Sequence, residues 1–167
     1  SVYSAIYPAR MRKNAYKPEH FPFQSLHETR FRDMDALGHV NNSVFMTYLE
    51  EARIAFIRTI PEFVDAMGRR QSFVLARVEL DLIRPIHYPG RLLIASGAEH
   101  FGNSSIQGIQ AIFDEQGTVC HALARTTGVW FDVASNRPTR LPELPDRERW
   151  LVSPSPPPTL PGRGQAT

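Results

Sequence analysis

Cysteine is nearly missing from this chain: Cys120 is the single one in 167 residues. One thiol cannot close an internal disulfide and has no second cysteine with which to share a metal, which suits a reducing compartment. In its setting, TVCHALA, it reads as a small buried residue rather than a nucleophile. An excess of charge is lacking too. Nineteen Lys and Arg against 17 Asp and Glu leave a formal +2, too little to argue for a nucleic-acid partner, although Arg10, Arg12, Lys13 and Lys17 make the first segment locally basic. No apolar run approaches the roughly 20 residues that span a bilayer. The opening SVYSAIYPARMRK places its charges after its apolar part, the reverse of a secretory signal. A cytoplasmic protein is the expectation, and no internal repeat is visible.

What is present is a globular composition, 42% hydrophobic and 22% charged, in a length that suits one domain with one core. From Leu141 onward prolines gather and apolar periodicity fades, and proline has no donor for a helix or a sheet ladder. The predicted organisation is an N-terminal arm over residues 1–22, a folded domain over residues 23–142 and a Pro-rich tail over residues 143–167, anchored by Trp150 and Leu151.

Residues 42–60 carry Phe45, Leu49, Ala52, Phe56 and Ile60 at spacings of three and four, with Tyr48 and Ala55 beside them, which predicts one face of a helix. Asn41, Asn42 or Ser43 can cap it, and Pro61 stops it or opens a short second turn ending at Gly68. The period then changes to two. SFVLARVELDLIRPI sets Val74, Ala76, Val78, Leu80 and Leu82 against Arg77, Glu79 and Asp81, a half-buried strand that Pro85 ends. RLLIASGAEHF, SSIQGIQAIFD and TVCHALARTTGVWFD are three more strands with short turns between them, which favours antiparallel neighbours. In the last, Cys120, Ala122, Ala124, Thr126 and Gly128 form a row of small side chains against which the helix can lie. With a first strand at residues 23–31, the fold class is α+β: one long helix on a curved antiparallel sheet of about five strands.

One block carries more than structure. DMDALGHVNNSVFMTYLEEAR, residues 33–53, resembles the signature of hotdog-fold acyl-CoA thioesterases of the 4-hydroxybenzoyl-CoA thioesterase type. The resemblance continues in LIRPIHYPG (82–90), GNSSI (102–106) and RPTRLP (137–142), in order. It implies hydrolysis of an acyl-CoA to a carboxylic acid and free CoA, with Asp35 in the place of the family's catalytic carboxylate. Substrate contacts are then expected at Gly38, His39, Val40, Asn41 and Asn42.

The chemistry fits such a block. Thioester hydrolysis needs a group that attacks the carbonyl or activates a water, and donors for the negative charge that develops on the carbonyl oxygen. Asp35 can supply the first as nucleophile or general base. The unpaired amides at the helix start can supply the second, and Gly38 permits a backbone conformation closed to other residues. Asp33 reads as structural, paired with Arg30 or Arg32. His39 can touch the substrate, orient Asp35 or cover the loop. Glu51 and Arg53 match the family's E-x-A-R and are candidates to support a subunit interface.

Departures narrow the reading. Plant acyl-ACP thioesterases carry asparagine two positions after the aspartate, where this chain has Leu37. Hotdog hydratases add a histidine five positions on, where this chain has its histidine four on, so hydration is disfavoured. No G-x-S-x-G elbow is present, which argues against an α/β-hydrolase. The rival is a non-catalytic module that binds acyl-CoA or an acyl carrier protein, although a binder has no need of a carboxylate at the thioester. The resemblance further implies a homodimer joined edge to edge, or a homotetramer of two such dimers, with sites formed between subunits. Arg77, Arg84, Arg91 and Arg125 are candidates for the CoA phosphates. No metal or cofactor is expected, since the six histidines show no close pair at metal-ligand spacing within a helix.

Overall fold

The computed structural model describes residues 16–153; the first 15 residues of the expected arm and the last 14 of the expected tail lie outside them. Strands β1 (Phe23–Glu28), β2 (Gln71–Leu82), β3 (Arg91–Phe101), β4 (Ser105–Asp114), β5 (Cys120–Asp132) and the two-residue β6 (Arg137–Pro138) form one antiparallel sheet. Its order is β1-β3-β4-β5-β2, and β6 pairs the end of β5. β3, β4 and β5 follow one another through tight turns. In the second turn Gly117 adopts a φ of +74°, and the Asp114 carboxylate accepts from the amides of Thr118 and Val119.

Two helices stand where one long helix was expected: α1 (Asn42–Ile57) and α2 (Pro61–Gly68). Pro61 fixes φ at the first position of α2 and disfavours a helical residue before it, so α1 closes early. Ile60, expected in the last turn of α1, is instead buried in the corner between the helices. On α1 the residues Phe45, Tyr48, Leu49, Ala52 and Phe56 are buried, as the spacing predicts. The helix lies over β3, flanked by β1 and β4. Its first half packs with Leu92, Ile94 and Ile112, and Ala122 and Ala124 of β5 join the same cluster. On α2, Phe63 meets Phe73 and Trp130 at ring separations of 5.1 and 5.2 Å.

Of the three bulges in the described sheet, two correct the predicted strand faces. Ala76 is skipped in the pairing of β2 with β5, so Phe73 and Leu75 before it face the same side as Val78, Leu80 and Leu82 after it. Val74 and Ala76, expected inside, are exposed. His121 is skipped between β4 and β5, which sends Cys120 to the opposite side of the sheet, beside Phe21, Ala95 and Ile109. An inserted residue reverses the alternation of every side chain beyond it.

The outer face of the sheet is covered by both ends of the described chain. Tyr16, Phe21 and Val152 pack on Ala95, Ala111 and Phe113. Trp150 is buried near Phe56, Leu141 and Leu144. The strap that follows it is tied down by the Val152 amide to the Ala98 carbonyl at 2.9 Å, and by the Ser153 amide to the His20 carbonyl at 2.9 Å. Gly97 is where this strap crosses: a Cβ there would stand 2.5 Å from Val152 and 2.7 Å from Pro22. No described helix is long and apolar enough to cross a membrane.

Candidate active site

The segment between β1 and α1 builds a closed loop. A short 3-10 turn, Phe31–Asp33, precedes it, and Met34 and Val40 form a bridge across its base. Within it the Asp35 amide donates to the His39 carbonyl at 2.7 Å and the Gly38 amide to the Asp35 carbonyl at 3.1 Å. Gly38 has a φ of +76°, the left-handed region that glycine enters without strain. The Asp35 side chain turns into this loop, and its Oδ1 accepts from the Leu37 amide at 2.8 Å and the His39 amide at 3.1 Å. Oδ2 takes no part in either bond.

Asp33 does a different job. Its Oδ2 accepts from the Tyr48 hydroxyl at 2.6 Å, and its carbonyl accepts from the Asn41 amide at 2.8 Å. The expected pairing with Arg30 or Arg32 is replaced by this link between the loop and α1. Burial, then the bond to the Asp33 carboxylate, pushes the Tyr48 hydroxyl well above its ordinary value of 10, so it remains a donor throughout the neutral range.

The helix start is equally defined. Asn41 is the N-cap, and its Oδ1 accepts from the Ser43 amide at 3.0 Å and the Ser43 hydroxyl at 2.9 Å. The Val44 amide donates to the Asn41 carbonyl at 2.9 Å. Among the described residues, the Asn42 amide in this first turn meets no acceptor, as the geometry of a helix start leads one to expect. Val40 is buried in the core, and its amide is given to Ile86.

His39 contributes its main chain to Asp35. Its ring packs edge-on against His87, with centroids 4.8 Å apart, and the two residues also form a backbone bridge. Sequence reading did not foresee this pair, because His87 arrives from the segment after β2. Of the four arginines considered for CoA, Arg77 pairs with Glu79, Arg91 with Glu28 and Glu115, and Arg125 with Glu99. Glu51 approaches His27 at 3.6 Å. Among the described residues no group of three or more His, Cys, Asp or Glu side chains stands ready to hold a metal ion.

A second feature lies further along α1. A cavity of about 450 Å3 opens between the later half of α1, α2 and the sheet, walled by Phe56, Ile57, Phe63, Phe73, Leu75 and Phe101 among others. Arg53, Ser96, Gln110 and Thr126 line it as well. The first of these residues on α1 is Glu50, two turns beyond Asn42.

The sequence pattern of the thioesterase-like superfamily matches residues 29–151. This chain belongs to that superfamily. No curated protein matches. Among solved structures, a thioesterase of Thermus thermophilus complexed with coenzyme A and Zn is 35% identical, over 74% of this chain and 93% of that one, with a TM-score of 0.63. YbaW of Escherichia coli, described as a probable thioesterase, is 25% identical over 78% of this chain and 98% of its own, with a TM-score of 0.69. A 1,4-dihydroxy-2-naphthoyl-CoA thioesterase of Synechocystis shares the fold at 18% identity and a TM-score of 0.63, covering 77% of this chain and 91% of that one. Membership supports thioester hydrolysis as the general chemistry, and the curled antiparallel sheet with its helix is consistent with the hotdog fold.

Proposed function

We propose that this thioesterase-like protein hydrolyses an acyl-CoA to a carboxylic acid and free CoA, using Asp35 and the amide at the start of α1. One juxtaposition carries the reading: a carboxylate held by amides of its own loop, with Oδ2 outside those bonds, immediately precedes a helix whose Asn42 amide has no acceptor among the described residues. The Leu37 and His39 amides fix the carboxylate without consuming both oxygens. Oδ2 then either draws a proton from the attacking water or attacks the thioester carbon itself. The Asn42 amide, at the positive end of the α1 dipole, donates to the carbonyl oxygen as it gains charge. Removing one such donor costs about 3 kcal/mol of barrier in other hydrolases, so a single well-aimed amide is a large contribution. The coenzyme A held by the Thermus thermophilus relative supports CoA as the carrier of the acyl group.

Asp35→Asn is expected to lower kcat by orders of magnitude with an unchanged unfolding curve; near-normal turnover on a good acyl-CoA would end the assignment. A single turnover in 18O-labelled water separates the two roles. A general base delivers labelled oxygen to the acid at once, whereas a nucleophile delivers one of its own carboxylate oxygens first.

The working unit is a homodimer joined through β2. That strand is twelve residues long and stands at the sheet edge, where unpaired backbone groups invite a partner, and Val74 and Leu75 beside them are 49% and 39% exposed. The cavity begins two turns, about 12 Å, along α1 from Asn42, so it is displaced from the same chain's Asp35. A two-fold axis across β2 sets the helices antiparallel and brings each catalytic loop toward the other protomer's cavity. Light scattering at micromolar concentration is expected to give twice the chain mass, or four times it for a dimer of dimers; a monomer would contradict the shared site.

A further inference from the structure

The cavity beside α1 is walled mainly by aromatic and aliphatic side chains, yet a guanidinium projects into it. Arg53 donates from Nη1 to Gln110 Oε1 at 3.4 Å, beyond the usual range for such a bond. Gln110 is buried and cannot turn away, because its Nε2 donates to the Leu49 carbonyl at 3.0 Å and to Ser96 Oγ at 2.9 Å. Its oxygen therefore has one orientation, toward Arg53. A guanidinium carries five donors, and among the described residues no carboxylate lies within 4.0 Å of this one. Glu50, at the cavity's exposed mouth, is the negative charge that acts on it, and Arg58 lines the same wall. Desolvation holds the Arg53 guanidinium below its ordinary value, so folding has already removed much of its water. A cation that is partly desolvated, oriented and under-partnered inside an apolar pocket is complementary to an anion that arrives on an apolar stem.

We infer that Arg53, seated by Gln110, selects acyl groups that end in a carboxylate, so that the preferred substrates are CoA thioesters of dicarboxylic acids. The inference rests on the cavity being the acyl pocket of the proposed hydrolysis. The methylene stem lies against Phe56, Phe73 and Phe101, and the distal carboxylate meets the Arg53 fork. Uncharged acyl chains of the same length bury the same surface but leave the guanidinium without a partner.

The experiment compares ω-carboxyacyl-CoA with alkyl acyl-CoA of matched length, from four to ten carbons, by release of free CoA. The wild type is expected to favour the carboxylated member at one or more lengths by at least tenfold in kcat/KM. Arg53→Gln is expected to lower that ratio by roughly 30-fold or more, the usual cost of removing one member of a buried charge pair. Glu50→Gln is expected to raise it, because a competing negative charge is gone from the mouth. A wild type that shows no preference overturns the inference, as does an Arg53→Gln variant that loses both substrates equally. Dissociation of the dimer in Arg53→Gln with the ratio unchanged also overturns it, since the partner of the guanidinium would then be the second subunit. If neither thioester is cleaved, the hydrolysis reading fails on its own, and calorimetric binding of the two thioesters to both proteins reads the same ratio.

Discussion

Asp33 and Asp35 stand two residues apart and do different work, and the division follows from where each side chain can reach. Asp35 bends into its own loop and is held by amides, while Asp33 faces α1 and takes the Tyr48 hydroxyl. Tyr48→Phe removes that donor and leaves a half-buried carboxylate short of a partner. A stability loss of about 2 kcal/mol is expected from chemical unfolding, with a fall in kcat because the loop proposed to be catalytic loses its tie to the helix; unchanged unfolding would show that the bond adds nothing. Sequence periodicity placed Tyr48 on the core face, and it is there. Its bond to Asp33 was not legible, since fifteen residues of chain separate them and only the folded loop brings them together. Arg53 illustrates the same limit: its match to E-x-A-R was visible, whereas the buried Gln110 that holds it comes from β4.

At the scale of elements, the helix face and the run of four strands after it were readable because apolar residues recur at periods of 3.6 and 2. What the pattern could not carry was the bulges at Ala76 and His121. Nothing in LARV or VCHA distinguishes a skipped residue from a paired one, and each skip exchanges inside for outside beyond it. The second helix was legible only as a turn, because eight residues hold too few periods to separate the two. The crossing at Gly97 gives this scale its prediction. Gly97→Val would drive methyls into Val152 and Pro22, and the fold is expected to lose about 1–3 kcal/mol by overpacking, read as a lower melting temperature together with faster proteolysis at residues 150–153. Equal stability would mean that the strap can shift without cost.

Over the whole molecule, the sheet combines short-range and long-range pairing. β3, β4 and β5 are neighbours in sequence and in space, whereas β1 and β2 sit at opposite edges and pair with strands that come much later. The β2 edge proposed for a partner and the cavity proposed for the acyl group are both parts of the molecule that this long-range pairing assembles, which is why the proposed site as a whole could not be drawn from the block before α1 alone. The strap at residues 151–153 extends the same logic to time. During synthesis the Asp35 loop and α1 emerge with no sheet to rest on, since β1 waits for β3 and β2 waits for β5. The outer face of β3 is covered on one side only, by Phe21 and Pro22, until Val152 has left the ribosome and closed against Ala98 and Gly97. A nascent chain of this protein therefore carries its proposed active site as an unsupported segment until the later strands emerge, and residues 151–153, remote in sequence from Asp35, close on the sheet after every described strand has been made.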